Sequence, residues 1–237
     1  MFVMYFSGRS SEDNSKHCVG TATSSSITGP YTTNEDPLSC PLSQGGAIDA
    51  SGFTDPDGTR YVVYKIDGNS LNGDGTQHPT PIMLQRLSSD AVTPDGEAIQ
   101  ILDHDEIDGG LVEAPSLVLV DGMYYLTFSS NVYSTLKYDT SYATASAISG
   151  PYTKVQAPDA PLLVSGDPSS SGPLGGPGGA DFWTRAGLRS TPLMTGRVSR
   201  VGAGCGLLGL RLGMGRLRSS RLKWSYCCLY SSIKARA

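Results

Sequence analysis

A unit of about 60 residues repeats along the chain, and this repeat restricts the possible folds more than any other feature. Residues 57–65 and 121–129 match at an offset of 64, and each is an Asp-Gly dipeptide followed by aromatic and β-branched residues. The opening run at residues 2–7 fits the same strand at an offset of 59, and residues 27–32 recur as residues 148–153. An Asp-Gly dipeptide before such a run predicts a β-hairpin.

Three copies of a short all-β unit favour a β-propeller, in which each blade is a small antiparallel sheet. Residues 1–182 show no long helical periodicity, and Gly, Pro, Ser and Asp interrupt them at intervals typical of short strands. A β-sandwich would have similar strand spacing, but it would not predict an internal repeat. We therefore predict an all-β fold, namely an incomplete β-propeller with three recognisable blades.

The charge of the chain changes from acidic to basic after Phe182. The net charge is −4, but residues 183–237 contain 11 of the 18 basic residues and no Asp or Glu. Residues 1–182 therefore hold 7 basic residues and all 22 acidic ones. We predict a partial propeller domain over residues 1–182 and a basic tail over residues 183–237, which is disordered or unassigned and not a folded domain.

Three interpretations of the basic tail compete. Clustered Lys and Arg side chains could bind nucleic acid or another polyanion. A different terminal domain is the second interpretation, although no pattern supports it. We favour the third, that the tail is out-of-frame or intron-derived sequence, because all acidic residues disappear at a blade boundary. On this interpretation we expect no nucleic-acid partner.

The sequence contains no segment typical of membrane insertion or secretion. No apolar run reaches the roughly 18 residues that a spanning helix needs. The N-terminus lacks the basic region and the long apolar run of a signal peptide, and its pattern is typical of a β-strand interior. Five cysteines are too few for a disulfide scaffold. Cys18 and Cys40 could form one bridge or could be two unpaired buried thiols.

Two carboxylates occupy equivalent positions in successive repeats. Asp49 lies 8 residues before Asp57, and Glu113 lies 8 residues before Asp121. Since the first strand of each propeller blade lines the central channel, the two side chains should meet there. Such a pair of acids could act on one glycosidic bond. Alternatively, the two side chains could cap turns or bind backbone groups where their strands begin.

Residues 46–58 and 112–129 resemble glycoside hydrolase family 43. The resemblance covers roughly residues 1–182, and it implies a five-bladed β-propeller that cleaves arabinose- and xylose-containing plant polysaccharides with inversion. It implies that Glu113 is the general acid and that Asp49 modulates the pKa of this acid and orients it. It also implies a monomer with an oligo- or polysaccharide substrate, an extracellular location, and no cofactor, metal, nucleic-acid or membrane partner.

The resemblance also exposes two departures from the family pattern. The third carboxylate of the family, the catalytic base, would fall about ten residues ahead of Met1 by the repeat offset, so we expect this chain to be inactive or nearly so. Gly179 stands where many members carry a histidine after Gly-Pro-Gly, which removes the role of that histidine in organising the channel or binding a metal through water. The alternative function is a non-catalytic carbohydrate-binding propeller or pseudoenzyme.

Four further residues are candidates for sugar contacts. Lys65 and Ser130 end the two repeated strands, and their side chains could face sugar hydroxyls. Both tryptophans lie in the basic tail, so an aromatic platform for a sugar ring would have to come from Phe53 or Tyr133.

Overall fold

Fifteen β-strands build the part of the chain that the structure describes. The structure is a computed structural model, and it describes residues 1–169 and 172–182 together with the backbone of residues 183–184, 193–198, 206–213 and 216–219. The helical segments within these residues are three short 3₁₀ helices at Leu42–Gln44, Gly68–Asp74 and Glu106–Asp108. None of these described helices is long or apolar enough to cross a membrane. The predicted all-β class is confirmed.

The strands form four antiparallel sheets, each built from consecutive strands. The first sheet contains β1 (Phe2–Arg9), β2 (His17–Ser24) and β3 (Thr32–Thr33). The second contains β4 (Ala47–Thr54), β5 (Arg60–Ile66), β6 (Ile82–Leu87) and β7 (Ile99–Leu102). The third contains β8 (Val112–Val120), β9 (Met123–Ser130), β10 (Asp139–Ala145) and β11 (Thr153–Lys154). The fourth contains β12 (Ala180–Thr184), β13 (Leu193–Val198), β14 (Gly206–Gly213) and β15 (Arg216–Ser219).

The two Asp-Gly dipeptides turn the chain between the first and second strands of their sheets. Asp121 and Gly122 are the two residues between β8 and β9, and their φ angles are 51° and 77°. Positive φ at both central residues defines a type I′ turn, whose twist matches that of the flanking strands. Gly58, with φ 87°, closes a longer turn between β4 and β5, where its N–H donates to the carbonyl oxygen of Asp55 at 2.9 Å. Both predicted hairpins are confirmed.

Apolar side chains fill the space between successive sheets. The cluster between the second and third sheets consists of Val63, Ile82, Leu84, Ile101, Leu102, Val112, Leu117, Leu126, Phe128 and Ala143. Similar clusters join the first sheet to the second and the third sheet to β12. The first strands of the sheets also contact one another in order, β1 with β4, β4 with β8 and β8 with β12. Face-packed antiparallel sheets whose first strands meet are the blades of a β-propeller, so the predicted fold is confirmed.

The fourth sheet extends past Phe182, where the sequence suggests that the domain ends. Its first strand, β12, spans this position, and β13 to β15 lie further along the chain, where the sequence analysis found no strand pattern. The side chains of these three strands lie outside the described residues. The division at residue 182 and the interpretation of residues 183–237 as a tail therefore stay predictions.

A disulfide joins Cys18 to Cys40, with the two Cα atoms 4.6 Å apart. Cys18 lies on β2, and Cys40 lies in the segment that leads from the first sheet to the second. Of the two interpretations that the sequence left open, the structure has the single bridge. The bridge fixes the loop that connects the first two sheets.

Candidate active site

Asp49 and Glu113 lie on the first strands of neighbouring sheets, each at a β-bulge. The pairing of β4 with β5 loses its register directly after Ile48, and the pairing of β8 with β9 loses it directly after Glu113. A bulge bends its strand and re-aims the local side chains, a feature common beside active sites. The backbone enters the left-handed region at Asp49, with φ 59°, and at Ala114, with φ 51°. This conformation is costly for residues other than glycine.

One cavity of about 410 Å³ brings the two carboxylates together. The second, third and fourth sheets all contribute to its wall, so it lies where the first strands of the sheets meet. Its lining residues are Asp49, Ala50, Ser51, Glu113, Ala114, Pro115, Tyr138, Gly179, Ala180 and Asp181. The equivalent positions of Asp49 and Glu113 in the repeat thus become neighbouring positions in space, as the repeat predicts.

Asp49 is held by backbone and side-chain groups from two other sheets. Its Oδ2 atom accepts a hydrogen bond of 3.0 Å from the backbone N–H of Ala114. Its own backbone N–H donates to Oγ of Ser7, on β1, at 3.2 Å. Burial raises the pKa of Asp49 to about 6, and the negative charge of Glu113 acts in the same direction. The Lys65 ammonium and the Ala114 N–H partly oppose this rise.

Lys65 lies beneath the cavity wall and not on its surface. Its ammonium Nζ contacts Oε2 of Glu113 at 3.0 Å and Oδ1 of Asp67 at 3.2 Å. The side chain has no exposed area. The contact with sugar hydroxyls suggested by the sequence stays a prediction, and the contact present in the structure is the one with Glu113.

The other predicted sugar-contact residues do not line the cavity. Ser130 is buried, and its hydroxyl donates to Oδ1 of Asp108 at 2.8 Å. Phe53 packs edge-to-face against Tyr124, with the ring centroids 6.1 Å apart. Tyr133 is 61% exposed and lies in the loop between β9 and β10. The sugar contacts of Ser130, Phe53 and Tyr133 therefore stay predictions.

Tyr138, directly before β10, is a cavity residue that the sequence analysis missed. Its hydroxyl is hydrogen-bonded to the side chains of Glu113 and Ser129, and burial together with the Glu113 charge raises the pKa of Tyr138. The protonated hydroxyl therefore donates a hydrogen bond to the Glu113 carboxyl group. The ring packs so closely on Gly178 that a Cβ atom there would lie 2.1 Å from a ring carbon. No repeated motif marks Tyr138, so spacing alone could not have found it.

Asp181 is a third carboxylate on the cavity wall, contributed by β12. Its Oδ1 atom accepts a hydrogen bond of 2.7 Å from the buried hydroxyl of Ser116. The available signal was the segment Gly-Pro-Gly-Gly-Ala-Asp-Phe, in which Gly179 stands where many family members carry a histidine. Asp181 stands two residues after Gly179 in that segment, and no sequence-based prediction included it.

Metal binding at the cavity would need several His, Cys, Asp or Glu side chains close together. Within residues 1–169 and 172–182, no group of three or more His, Cys, Asp or Glu side chains is arranged so that it could hold a metal ion. Gly179 lines the cavity, and its backbone N–H donates to Oγ of Ser129 at 2.7 Å. This position therefore presents a backbone group where a histidine would present an imidazole.

Comparison with known proteins gives a consistent result. A family profile described as "Glycosyl hydrolases family 43" matches residues 1–190. The β-D-galactofuranosidase xynD of Aspergillus niger is 29% identical over 140 residues, which are 57% of this chain and 35% of that protein. The match thus spans about a third of the length of this relative.

Solved structures share the fold. A thermostable family-43 glycoside hydrolase superposes with a TM-score of 0.75 at 24% identity, over 96% of this chain and 73% of that one. An endo-1,4-β-xylanase from Bacteroides thetaiotaomicron has a TM-score of 0.67 at 24% identity, over 93% and 71% of the two chains. An endo-arabinase from the same organism has a TM-score of 0.60 at 15% identity, again over 93% and 71%.

Proposed function

The chain belongs to glycosyl hydrolases family 43, and on that premise we propose that it hydrolyses O-glycosidic bonds of arabinose- or xylose-containing plant polysaccharides with inversion. The observation that carries the proposal is the cavity in which Asp49 and Glu113 meet. Paired carboxyl groups of unequal environment are the usual means by which glycosidases hold and donate a proton. The xylanase and the endo-arabinase that share the fold support this range of sugars, whereas the Aspergillus relative adds galactofuranosides as a competing substrate.

In the proposed mechanism Glu113 is the general acid. Its carboxyl proton moves to the glycosidic oxygen, which keeps the electron pair as its bond to the anomeric carbon breaks. A water molecule adds to the opposite face of that carbon and gives its proton to a carboxylate base. In inverting enzymes this base lies about 6.5–9.5 Å from the acid, which leaves room for the water.

Asp49 supports the acid through its charge and through the backbone. Two carboxylates that share a cavity repel each other, so the pair holds one proton more firmly than a single carboxyl group would. The pKa of about 6 at Asp49 reflects this repulsion in part. The hydrogen bond from Ala114 also fixes the backbone next to Glu113.

An external nucleophile tests the proposal on the chain as it is. Water needs a carboxylate base to become nucleophilic, so turnover with water would test the acid and the base together. Azide is already an anion and needs no base, so it should replace the activated water. Aryl arabinofuranosides, xylopyranosides and galactofuranosides are incubated with the purified chain, with and without azide, and the products are identified by proton NMR.

The expected product is a glycosyl azide of inverted anomeric configuration. The Glu113→Gln variant should form far less of it from substrates with poor leaving groups, because these need the acid. A product of retained configuration, or no product from any of the three glycosides, would contradict the proposal. Rapid hydrolysis without azide would contradict the expected inactivity with water and leave the reaction class unchanged.

A non-catalytic carbohydrate-binding protein is the alternative that the same variant distinguishes. Calorimetric titration with arabino- and xylo-oligosaccharides should show binding by the parent chain and by Glu113→Gln in either case. Only an enzyme loses a product when Glu113 is replaced. Binding without any azide product would therefore favour the non-catalytic alternative.

We also propose that the protein works in an oxidising compartment, outside the cell. The Cys18–Cys40 disulfide supports this location, since such bonds form and persist in secreted proteins and are rare in the cytosol. Mass spectrometry of the native protein under alkylating conditions tests it. Free Cys18 and Cys40 thiols in the cell extract, with no secreted form, would be inconsistent with the proposal.

A further inference from the structure

Lys65 is a wholly buried cation beside the proposed acid. It is the last residue but one of β5, and its ammonium lies between Glu113, at 3.0 Å, and Asp67, at 3.2 Å. Removing an ammonium group from water is costly unless opposite charges and hydrogen bonds replace the water. Two carboxylates within contact distance provide this replacement. The contacts with Asp67 and Glu113 therefore allow the Lys65 ammonium to remain charged without access to water.

The backbone of Asp67, whose carboxylate contacts the Lys65 ammonium, is held in place by two contacts. Its backbone N–H donates to the carbonyl oxygen of Gly46 at 2.9 Å. Its own carbonyl oxygen approaches Gly45 so closely that a Cβ atom there would lie 2.3 Å from it. The ammonium of Lys65 thus joins a carboxylate held by the second sheet to the carboxylate of Glu113 on the third.

We propose that Lys65 is a positioning residue for Glu113, an inference that rests on the function proposed above. The ammonium contacts Oε2 of Glu113, which restrains the carboxyl group on the cavity wall. As Glu113 gives its proton to the glycosidic oxygen, a full negative charge forms on a carboxyl group whose Oε2 atom lies 3.0 Å from a fixed cation. An interaction that strengthens as charge develops stabilises the transition state more than the ground state.

The proposed step leaves Lys65 chemically unchanged. The proton passes from Glu113 to the leaving oxygen, the incoming nucleophile bonds to the anomeric carbon, and Lys65 keeps its three protons. The absence of exposed area on Lys65 separates this role from a direct sugar contact, which would require the ammonium to reach the cavity surface.

Two lysines of this chain allow a matched experiment. Lys65→Met removes the ammonium and keeps most of the side-chain volume. Lys154→Met is the control, because Lys154 is also largely buried and contacts the carboxylates Asp105 and Asp108, and none of these three residues lines the cavity. Both variants lose a buried ion cluster, but only one of them loses it at Glu113.

Phenyl and dinitrophenyl glycosides, with azide as nucleophile, separate the proposed role from a structural one. Phenolate needs protonation to leave, whereas dinitrophenolate does not. For Lys65→Met we expect kcat on the phenyl glycoside to fall at least about tenfold, with kcat on the dinitrophenyl glycoside and both KM values nearly unchanged. Lys154→Met should leave the ratio between the two substrates as in the parent chain. An equal loss on both substrates, or a rise in KM alone, would overturn the proposal.

A second measurement decides the proposal if the parent chain gives no product, an outcome that would count against the proposed function alone. Carbon-13 NMR of side-chain-labelled glutamate, assigned with Glu113→Gln, should show a shifted or broadened Glu113 signal in Lys65→Met and an unchanged one in Lys154→Met. An unchanged Glu113 signal in Lys65→Met would overturn it. Should Lys65→Met fail to fold, Lys65→Met with Asp67→Asn keeps the net charge of the cluster and receives the same measurements.

Discussion

The carboxylate of Asp49 accepts a hydrogen bond of 3.0 Å from the backbone N–H of Ala114, the residue that follows Glu113. This bond crosses from the second sheet to the third and joins the two bulges that carry the candidate catalytic carboxylates. The position of Asp49 therefore constrains the backbone that carries Glu113. The two carboxylates should respond to each other when either is altered.

Replacing Glu113 with Gln should lower the pKa of Asp49 from about 6, because the Glu113 charge contributes to the rise. Carbon-13 NMR of labelled aspartate side chains, followed from pH 3 to 9, measures this change. Glu106→Gln is the control, since Glu106 is exposed and does not contribute to the shift at Asp49. An Asp49 titration that is the same in Glu113→Gln and in the parent chain would show that the two carboxylates do not interact.

Replacing Asp49 with Asn should stabilise the folded protein at neutral pH. The pKa of Asp49 is raised from 3.8 to about 6 on folding, so the folded state loses stability as the pH rises through this window. Asparagine carries no such penalty and can still accept the hydrogen bond from Ala114. We expect a gain of about 2 kcal/mol at pH 7.5 and none below pH 3.5, measured by urea unfolding at both pH values.

The matched comparison for that experiment is Asp57→Asn. Asp57 is exposed in a turn, and its pKa is lowered by hydrogen bonds from Thr59. Its replacement should therefore bring no gain at neutral pH. If Asp49→Asn is also no more stable at pH 7.5 than the parent chain, the folded pKa of Asp49 is not raised.

Replacing Gly178 with Ala should disturb the support of Glu113 by Tyr138. The new Cβ atom would lie 2.1 Å from a ring carbon of Tyr138, so the ring must move away from the cavity wall. We expect a loss of about 1–3 kcal/mol in the free energy of unfolding, measured with urea, and reduced transfer to azide. Gly73→Ala is the control, because no atom lies within 4 Å of a Cβ there. Equal stabilities of the two variants would contradict the packing of Tyr138 on Gly178.

Removing the disulfide should destabilise the first two sheets. Replacing Cys18 and Cys40 with Ser releases a loop whose ends are 22 residues apart in sequence. Loop-closure entropy predicts a cost of about 3 kcal/mol, measurable by urea unfolding. A reducing agent should lower the stability of the parent chain by a similar amount and leave the double variant unchanged. Sensitivity of the double variant to the reductant would assign the effect to other cysteines.

Local sequence signals predicted the two Asp-Gly hairpins correctly. The Asp121-Gly122 turn needs positive φ at two successive residues, and Asp-Gly is among the few dipeptides that adopt it readily. The spacing of 64 residues between Asp49 and Glu113 also predicted that they occupy equivalent positions in successive blades, because each stands at the same distance before such a turn. Each of these signals is local, because it consists of an Asp-Gly turn and of a carboxylate at a fixed short distance before that turn.

The repeat by itself determined the all-β class, the propeller and the cavity position of Asp49 and Glu113. Only the tertiary structure decided that Lys65 faces Glu113 rather than solvent, that Tyr138 reaches the same carboxylate, and that Cys18 is bonded to Cys40. The physical reason is that turn and strand preferences are set within a few residues, whereas these contacts form between sheets. Lys65 and Glu113 are 48 residues apart, and only the packing of β5 against β8 brings their charges within 3.0 Å.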